Sequence, residues 1–335
     1  MKLKHLPFYV LMLLLCACPS AEEAWHDLGS YRLINTNNLA IVNYNRYYDY
    51  CGYTRRAIFS QDSQSYLFHD GQNTYIKNLN GYSQYICSAL DINAISPDLT
   101  KKFYFTSSGM IISDLQSNNG VVINPDNSHY KFDPSFSFDS NFITYCSRLK
   151  NNSSDFKIHK VNLSDNNTES FSFNVSVCNP YFLTNNKIAY YQNRKDSVVS
   201  YNLLLLDTQN SEITPIDTLL LQTSKPIYNL KNNCFFYQKN RSQIIKYDLN
   251  TNQKSIILNG LDLSVDYFFV DSEMKRIYYL MRDCLFLYDL DLSVTYKFPS
   301  KNPCYFFTLS PDGNWLLSYH FVDYDHRKNA KGLKI

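Results

Sequence analysis

Apolar and polar positions along this chain fall into a unit that recurs over most of its length. A short aromatic or apolar run meets a polar turn, and a second apolar run answers it. The units are 57–62, 93–98, 134–139, 180–185, 226–231, 266–271 and 304–312, with turns about 36 to 46 residues apart, the period of a four-stranded propeller blade. The answering runs are 66–68, 103–105, 142–145, 188–191, 234–237, 277–280 and 315–319. They are short and rich in Tyr, Phe, Ile and Leu, as strands buried on both faces must be. Third strands end on an acid and a turn, as in 203–207, 244–248 and 285–289. The fourth, such as 254–258, carries the polar residues an exposed edge needs. The pattern predicts an all-β chain forming a single β-propeller of seven four-stranded blades, with six or eight as alternatives. The last unit lacks a clear fourth strand, and 31–44 reads as a strand pair. Strands from both termini would therefore close the ring.

The first residues break the pattern. Lys2 and Lys4 precede an apolar run, Leu6 to Leu15, too short to anchor in a bilayer. The run ends in Leu15-Cys16-Ala17-Cys18. This resembles a bacterial lipobox, with Leu at −3, a small residue at −1 and Cys18 as the lipidated first mature residue. Simple secretion, with cutting after Ala21, is the alternative and would place Pro19 at −3. The expected organisation is a signal peptide over 1–17, a lipidated tether over 18–27 and the propeller over 28–335. Multiple acyl chains give durable attachment, so the protein is expected in the bacterial envelope, facing the periplasm or the cell surface.

Composition narrows the function classes. The formal net charge is +2, and removing Lys2 and Lys4 leaves the chain near neutral, which argues against nucleic acid as a partner. Asn takes several turn positions that Gly would otherwise fill, since only 9 Gly occur. Past the lipobox remain Cys51, Cys87, Cys146, Cys178, Cys234, Cys284 and Cys304, an odd set that cannot all pair. Several lie in apolar runs and read as buried thiols.

Leu309-Ser310-Pro311-Asp312-Gly313-Asn314-Trp315 resembles the blade motif of TolB-like propellers. Ile95-Ser96-Pro97-Asp98 is a shorter match. Phe136-Ser137-Phe138-Asp139 with Tyr145-Cys146-Ser147-Arg148 looks like a fuller one. The resemblance spans nearly all of the mature chain and implies the fold more than a function. TolB carries an α/β domain ahead of its propeller, and the residues between Cys18 and the first blade are too few for one. The expectation is thus a TolB-like lipoprotein without that domain.

Candidate chemistry is sparse. Arg148, Arg194, Arg241 and Arg282 each follow a second strand, so they recur at one end of the blades. They read either as guanidinium groups for carboxylates or phosphates, or as partners of loop carbonyls. Tyr47, Tyr48, Arg55 and Arg56 belong to an aromatic and basic run before the first blade, with residue types typical of interface anchors. His320, Asp323, Asp325 and His326 form a weak candidate metal cluster in what reads as a polar loop. Oligogalacturonate lyases are propellers that hold a metal through channel histidines, but His69, His129 and His159 do not recur at matching blade positions. No Gly-x-Ser-x-Gly elbow, Cys-x-x-Cys, zinc-protease or phosphate-loop motif occurs. The sequence points to a monomeric, non-enzymatic binder of an envelope protein or peptide that needs no cofactor. The alternative is an enzyme acting on a glycan or other polymer in the central channel.

Overall fold

The computed structural model describes residues 29–37, 41–47, 58–69, 73–80, 82–88, 94–106, 109–117, 120–123, 128–151, 154–193, 201–219, 226–239, 242–260, 265–281, 284–298 and 304–321. They form seven four-stranded antiparallel sheets, the blades of a β-propeller, and no helix occurs among them.

Blade I holds β3 (Ile58–Phe59), β4 (Ser65–His69), β5 (Asn73–Asn78) and β6 (Ser83–Ser88). Blade II holds β7 (Ala94–Ile95), β8 (Lys101–Thr106), β9 (Gly109–Asp114) and β10 (Gly120–Ile123). Blade III holds β11 (His129–Phe136), β12 (Phe142–Leu149), β13 (Phe156–Asn162) and β14 (Thr168–Phe173). Blade IV holds β15 (Val177–Thr184), β16 (Lys187–Asn193), β17 (Tyr201–Asp207) and β18 (Glu212–Leu219). Blade V holds β19 (Ile227–Asn229), β20 (Cys234–Lys239), β21 (Gln243–Asp248) and β22 (Gln253–Leu258). Blade VI holds β23 (Val265–Val270), β24 (Arg276–Met281), β25 (Cys284–Asp289) and β26 (Val294–Lys297).

Blade VII is built from both ends of the chain, in the order β27 (Cys304–Leu309), β28 (Trp315–Phe321), β1 (Gly29–Asn35), β2 (Ile41–Tyr47). The expected closure therefore takes the form of two strands from each terminus. β1 pairs with β28 without a break from Gly29 opposite Phe321 to Asn35 opposite Trp315.

The apolar clusters show why the second strands are so aromatic. Each blade seam has its own cluster. Phe103 and Met110 of blade II pack with Ile143 and Tyr145 of blade III. On the other face of β12, Cys146 packs with Phe182 and Tyr190 of blade IV. The same alternation continues through the remaining seams and joins blade VII to blade I through Leu33, Leu317 and Tyr66. A strand with a neighbour on both faces has no solvent side, so its polar positions shrink to the strand ends. Outer strands show the opposite bias, as in β14, and β18 carries Pro215, which suits an edge.

Antiparallel order gives the toroid two unlike ends. Hairpins between first and second strands lie at one end, called the turn end here. Connections between second and third strands, and from each blade to the next, start and finish at the other, the loop end.

Candidate functional site

At the turn end, blades I, II, III and VII share one hairpin, Ser-x-Asp. Ser60, Ser96, Ser137 and Ser310 each donate Oγ to the acid two residues on, at 2.5, 2.6, 2.6 and 2.5 Å. The same oxygen accepts the backbone N–H five residues on, at 2.8 to 2.9 Å. The acid accepts the N–H two residues beyond itself, from Gln64, Thr100, Asn141 and Asn314. A serine-led hydrogen bond holds the Asp62 carboxyl below its ordinary range. For Asp98, Asp139 and Asp312 burial pushes upward, but the bonds from serine and backbone outweigh it and the carboxyls again stay low. In blade VI the acid, Asp271, stands at the serine position instead. It accepts N–H groups from Lys275 and Arg276, and burial lifts its carboxyl above the usual range.

These turns also bond to one another. Asp312 N–H donates to Ser63 Oγ at 3.1 Å, Gln61 N–H to the Pro97 carbonyl at 2.8 Å, and Asp98 N–H to Ser140 Oγ at 3.3 Å. Asn185 Nδ2 donates to Asp139 at 2.7 Å, Asn229 Nδ2 to the Ser272 carbonyl at 3.0 Å, and Ser272 Oγ to the Asp312 carbonyl at 3.3 Å. Blade IV departs from the pattern. Its turn is the tight pair Asn185-Asn186, capped by Thr184 Oγ1. Phe138 of blade III fills the space this leaves, touching Tyr181 of blade IV and Tyr228 of blade V with ring centroids 6.2 and 5.4 Å away. The seam between blades IV and V is fastened elsewhere, by Asp217 of β18. It accepts from Tyr237 Oη at 2.7 Å and Lys239 Nζ at 2.8 Å, with Lys254 Nζ at 3.7 Å. Burial pushes the Asp217 carboxyl up, but the Lys239 and Tyr237 bonds win and hold it low.

The loop end of blade III is different in kind. Tyr130, near the start of β11, is 52% exposed. The Arg148 guanidinium carbon and the Lys150 ammonium lie 5.4 and 5.6 Å from its ring centroid. On the opposite face of the same sheet, Lys131, Ser147 and Lys157 form one row across β11, β12 and β13. Deeper in that face His159 stacks on Tyr145 with centroids 4.5 Å apart. Its Nε2 meets Ser147 Oγ at 2.7 Å and its Nδ1 meets Ser170 Oγ at 2.8 Å. Desolvation first, then the charges of Lys157, His129 and Lys131, lowers the imidazole pKa to about 4. At neutral pH the ring is uncharged, linking a buried serine to an exposed one. It is too enclosed to meet a substrate.

Of the candidates read from the sequence, Arg148 is the one whose side chain is described. It lies inside β12, one residue from its end, because that strand runs longer than the apolar run suggested. It sits on a ring instead of a loop carbonyl. Tyr47 ends β2, opposite Gly29, and His320 lies in β28, opposite Ser30, so His320 belongs to a strand and not to a polar loop. Cys18, Arg194, Arg241, Arg282, Tyr48, Arg55, Arg56, Asp323, Asp325 and His326 lie outside the described residues, as do the side chains of Tyr47 and His320. Sequence pattern alone does not single out Tyr130 and Lys150. Their signal is the basic and aromatic run His129-Tyr130-Lys131, placed opposite Arg148 by register. Among the described residues, no three His, Cys, Asp or Glu side chains come together as metal ligands. His129 and His159 lie on different strands of one blade, and His69 lies in blade I. Cys146, Cys234 and Cys304 are buried as thiols.

No protein-family model matches the sequence, and no curated protein matches it. Solved structures match by shape. An oligogalacturonate lyase in complex with manganese has a TM-score of 0.60 at 12% identity, over 80% of this chain and 88% of that one. Dipeptidyl peptidase 4 of Porphyromonas gingivalis has a TM-score of 0.56 at 12% identity, over 93% of this chain and 59% of that one. TolB from Acinetobacter baumannii has a TM-score of 0.43 at 14% identity, over 79% of this chain and 62% of that one. At such identities likeness is likeness of fold. The first two matches place this chain among β-propeller structures.

Proposed function

We propose that this chain is a non-enzymatic envelope lipoprotein whose propeller binds a protein or peptide at its loop end. In this reading lipid on Cys18 holds the mature chain, as a monomer, at a bacterial membrane. The observation that carries the binding role is the contrast between the ends. The turn end spends its polar groups on hydrogen bonds between blades, whereas the loop end of blade III presents an exposed Tyr flanked by Arg and Lys. Tyr and Arg are the residues that anchor interfaces, because they supply large contact area and directed donors together. An enzyme working on a polymer in the channel would need converging titratable groups. The likeness to a manganese-containing lyase is one of fold and supplies none.

Affinity purification of the tagged, membrane-bound protein tests the binding role. One envelope protein should copurify in stoichiometric amount and be lost when Tyr130→Ala and Arg148→Ala are combined. Metal-dependent depolymerisation of a polysaccharide by the purified mature chain would overturn it. Anchoring is tested apart from this, by incorporation of labelled fatty acid that Cys18→Ser abolishes.

A further inference from the structure

We infer that the loop-end corner of blade III receives an acidic, extended segment of the partner, whose carboxylates meet Arg148 and Lys150 beside the Tyr130 ring. This deepens the binding role proposed above and rests on it.

Arg148 and Lys150 have no carboxylate partner among the described residues, and both stand over one exposed ring. A guanidinium held beside a ring keeps its planar fork of donors, which can take a carboxylate in two parallel bonds. The two cations are two residues apart at the end of β12, hence on one side of the chain and about 7 Å apart along it. Alternate side chains of an extended peptide repeat at the same interval, so acids at positions i and i+2 would meet both. Tyr130 offers apolar surface between them. The opposite face of this corner is basic as well, with Lys131 and Lys157 in one row across β11 and β13.

An anionic membrane is the competing source of negative charge. Membrane binding sums many Lys and Arg over a broad surface. Among the described residues the loop-end cations crowd on blade III, and Lys239, at the same end of blade V, is already joined to Asp217 at 2.8 Å. A compact, ring-braced pair suits a peptide better than a headgroup layer.

The test uses the mature chain carrying Cys18→Ser, which keeps the whole closed ring. A fluorescent decapeptide of alternating Glu and Ser is titrated by anisotropy, beside one with Gln for Glu. Phosphatidylglycerol vesicles are the third probe. The Glu peptide should bind, and the Gln peptide should not. Binding should weaken as salt rises. Arg148→Ala and Lys150→Ala should each weaken it about two- to fivefold without moving the melting temperature. Arg148→Lys should restore only part of the loss, because an ammonium makes no planar fork. Equal binding of both peptides, or vesicle binding without peptide binding, would overturn the inference. A copurifying envelope protein whose binding ignores Arg148 would overturn it too, while leaving the binding role standing. Peptide binding with no copurifying protein would do the reverse.

Discussion

At the turn end, four hairpins repeat one set of hydrogen bonds, and each bonds onward to a neighbouring blade. At the loop end of blades III to V, no such repeat holds. Blade III carries a ring with two cations, and blades IV and V meet through a buried acid. Near the loop end of blade V, Gln238 of β20 is buried with neither amide atom hydrogen-bonded. The two ends belong to the same strands, so strand composition does not cause the difference. A repeated, satisfied end fixes the ring, and that frees the other end to vary from blade to blade. Mutations can test this division, because stability should follow the first kind of contact and binding the second.

The sharpest exception is Asp217, a loop-end residue with a structural task. Asp217→Ala strands the Tyr237 hydroxyl and leaves Lys239 without its acid. Breaking such a buried pair costs about 3 kcal/mol. A urea midpoint should fall accordingly, with peptide binding at blade III unchanged. An unaltered midpoint would mean that the seam between blades IV and V is held by its apolar cluster alone.

Acid should unfold the chain through two windows. His159 takes its proton less readily folded than unfolded, with a pKa of about 4 against 6.5. Between those values the unfolded chain binds more protons, so stability falls as pH drops, by about 3 kcal/mol at most. The turn carboxylates Asp62, Asp98, Asp139 and Asp312 are held low, so their contribution persists down to about pH 4 and is lost below it. Melting temperatures from pH 7 to 3 should decline in both ranges. His159→Gln should flatten the first and leave the second. A wild-type profile flat above pH 4 would contradict the burial of this ring.

Within the turn ring, Asp139→Ala removes bonds from Ser137 and Asn141 in its own turn and from Asn185 in the next blade. The site is exposed, so the loss should be about 1 to 2 kcal/mol, read as a lower urea midpoint. Asp165 of the same blade supplies the control. It lies in the turn between β13 and β14, outside the ring, and accepts Asn167 N–H within that turn. Asp165→Ala should therefore cost far less, and equal losses would show that the ring bonds add nothing to ordinary turn capping.

Much of this division could be read in the sequence, and the reasons for the remainder are physical. The seven units, the second strands and the closure by 31–44 were legible because strands packed on both faces leave long unbroken apolar runs. Ser-x-Asp turns announce themselves through residue type, since hydroxyl and carboxylate bond locally whatever surrounds them. Burial of Asp217 was not legible, because β18 is an outer strand and its acid should face water. Only the approach of Tyr237 and Lys239 from the next blade makes it an interior residue. The link from Ser147 through His159 to Ser170 depends on the register of three strands, which no local pattern specifies. The same holds for Tyr130 and Arg148, 18 residues apart and directly opposite in the sheet.

Gln238 gives the smallest expected effect, with the sign reversed. It alternates with Phe236 and so faces the seam between blades V and VI, opposite Ile244 of β21. A buried amide that gave up water for no partner is a net cost, and an apolar side chain of similar volume removes that cost. Gln238→Met fills nearly the same space with a flexible side chain, so packing strain is small. The variant should be about 1 kcal/mol more stable in urea. Turn-end residues should behave oppositely, because Ser137→Ala discards bonds that are made. If Gln238→Met were destabilising, its amide would have a partner in solution, and the loop end would be as well satisfied at this seam as the turn end.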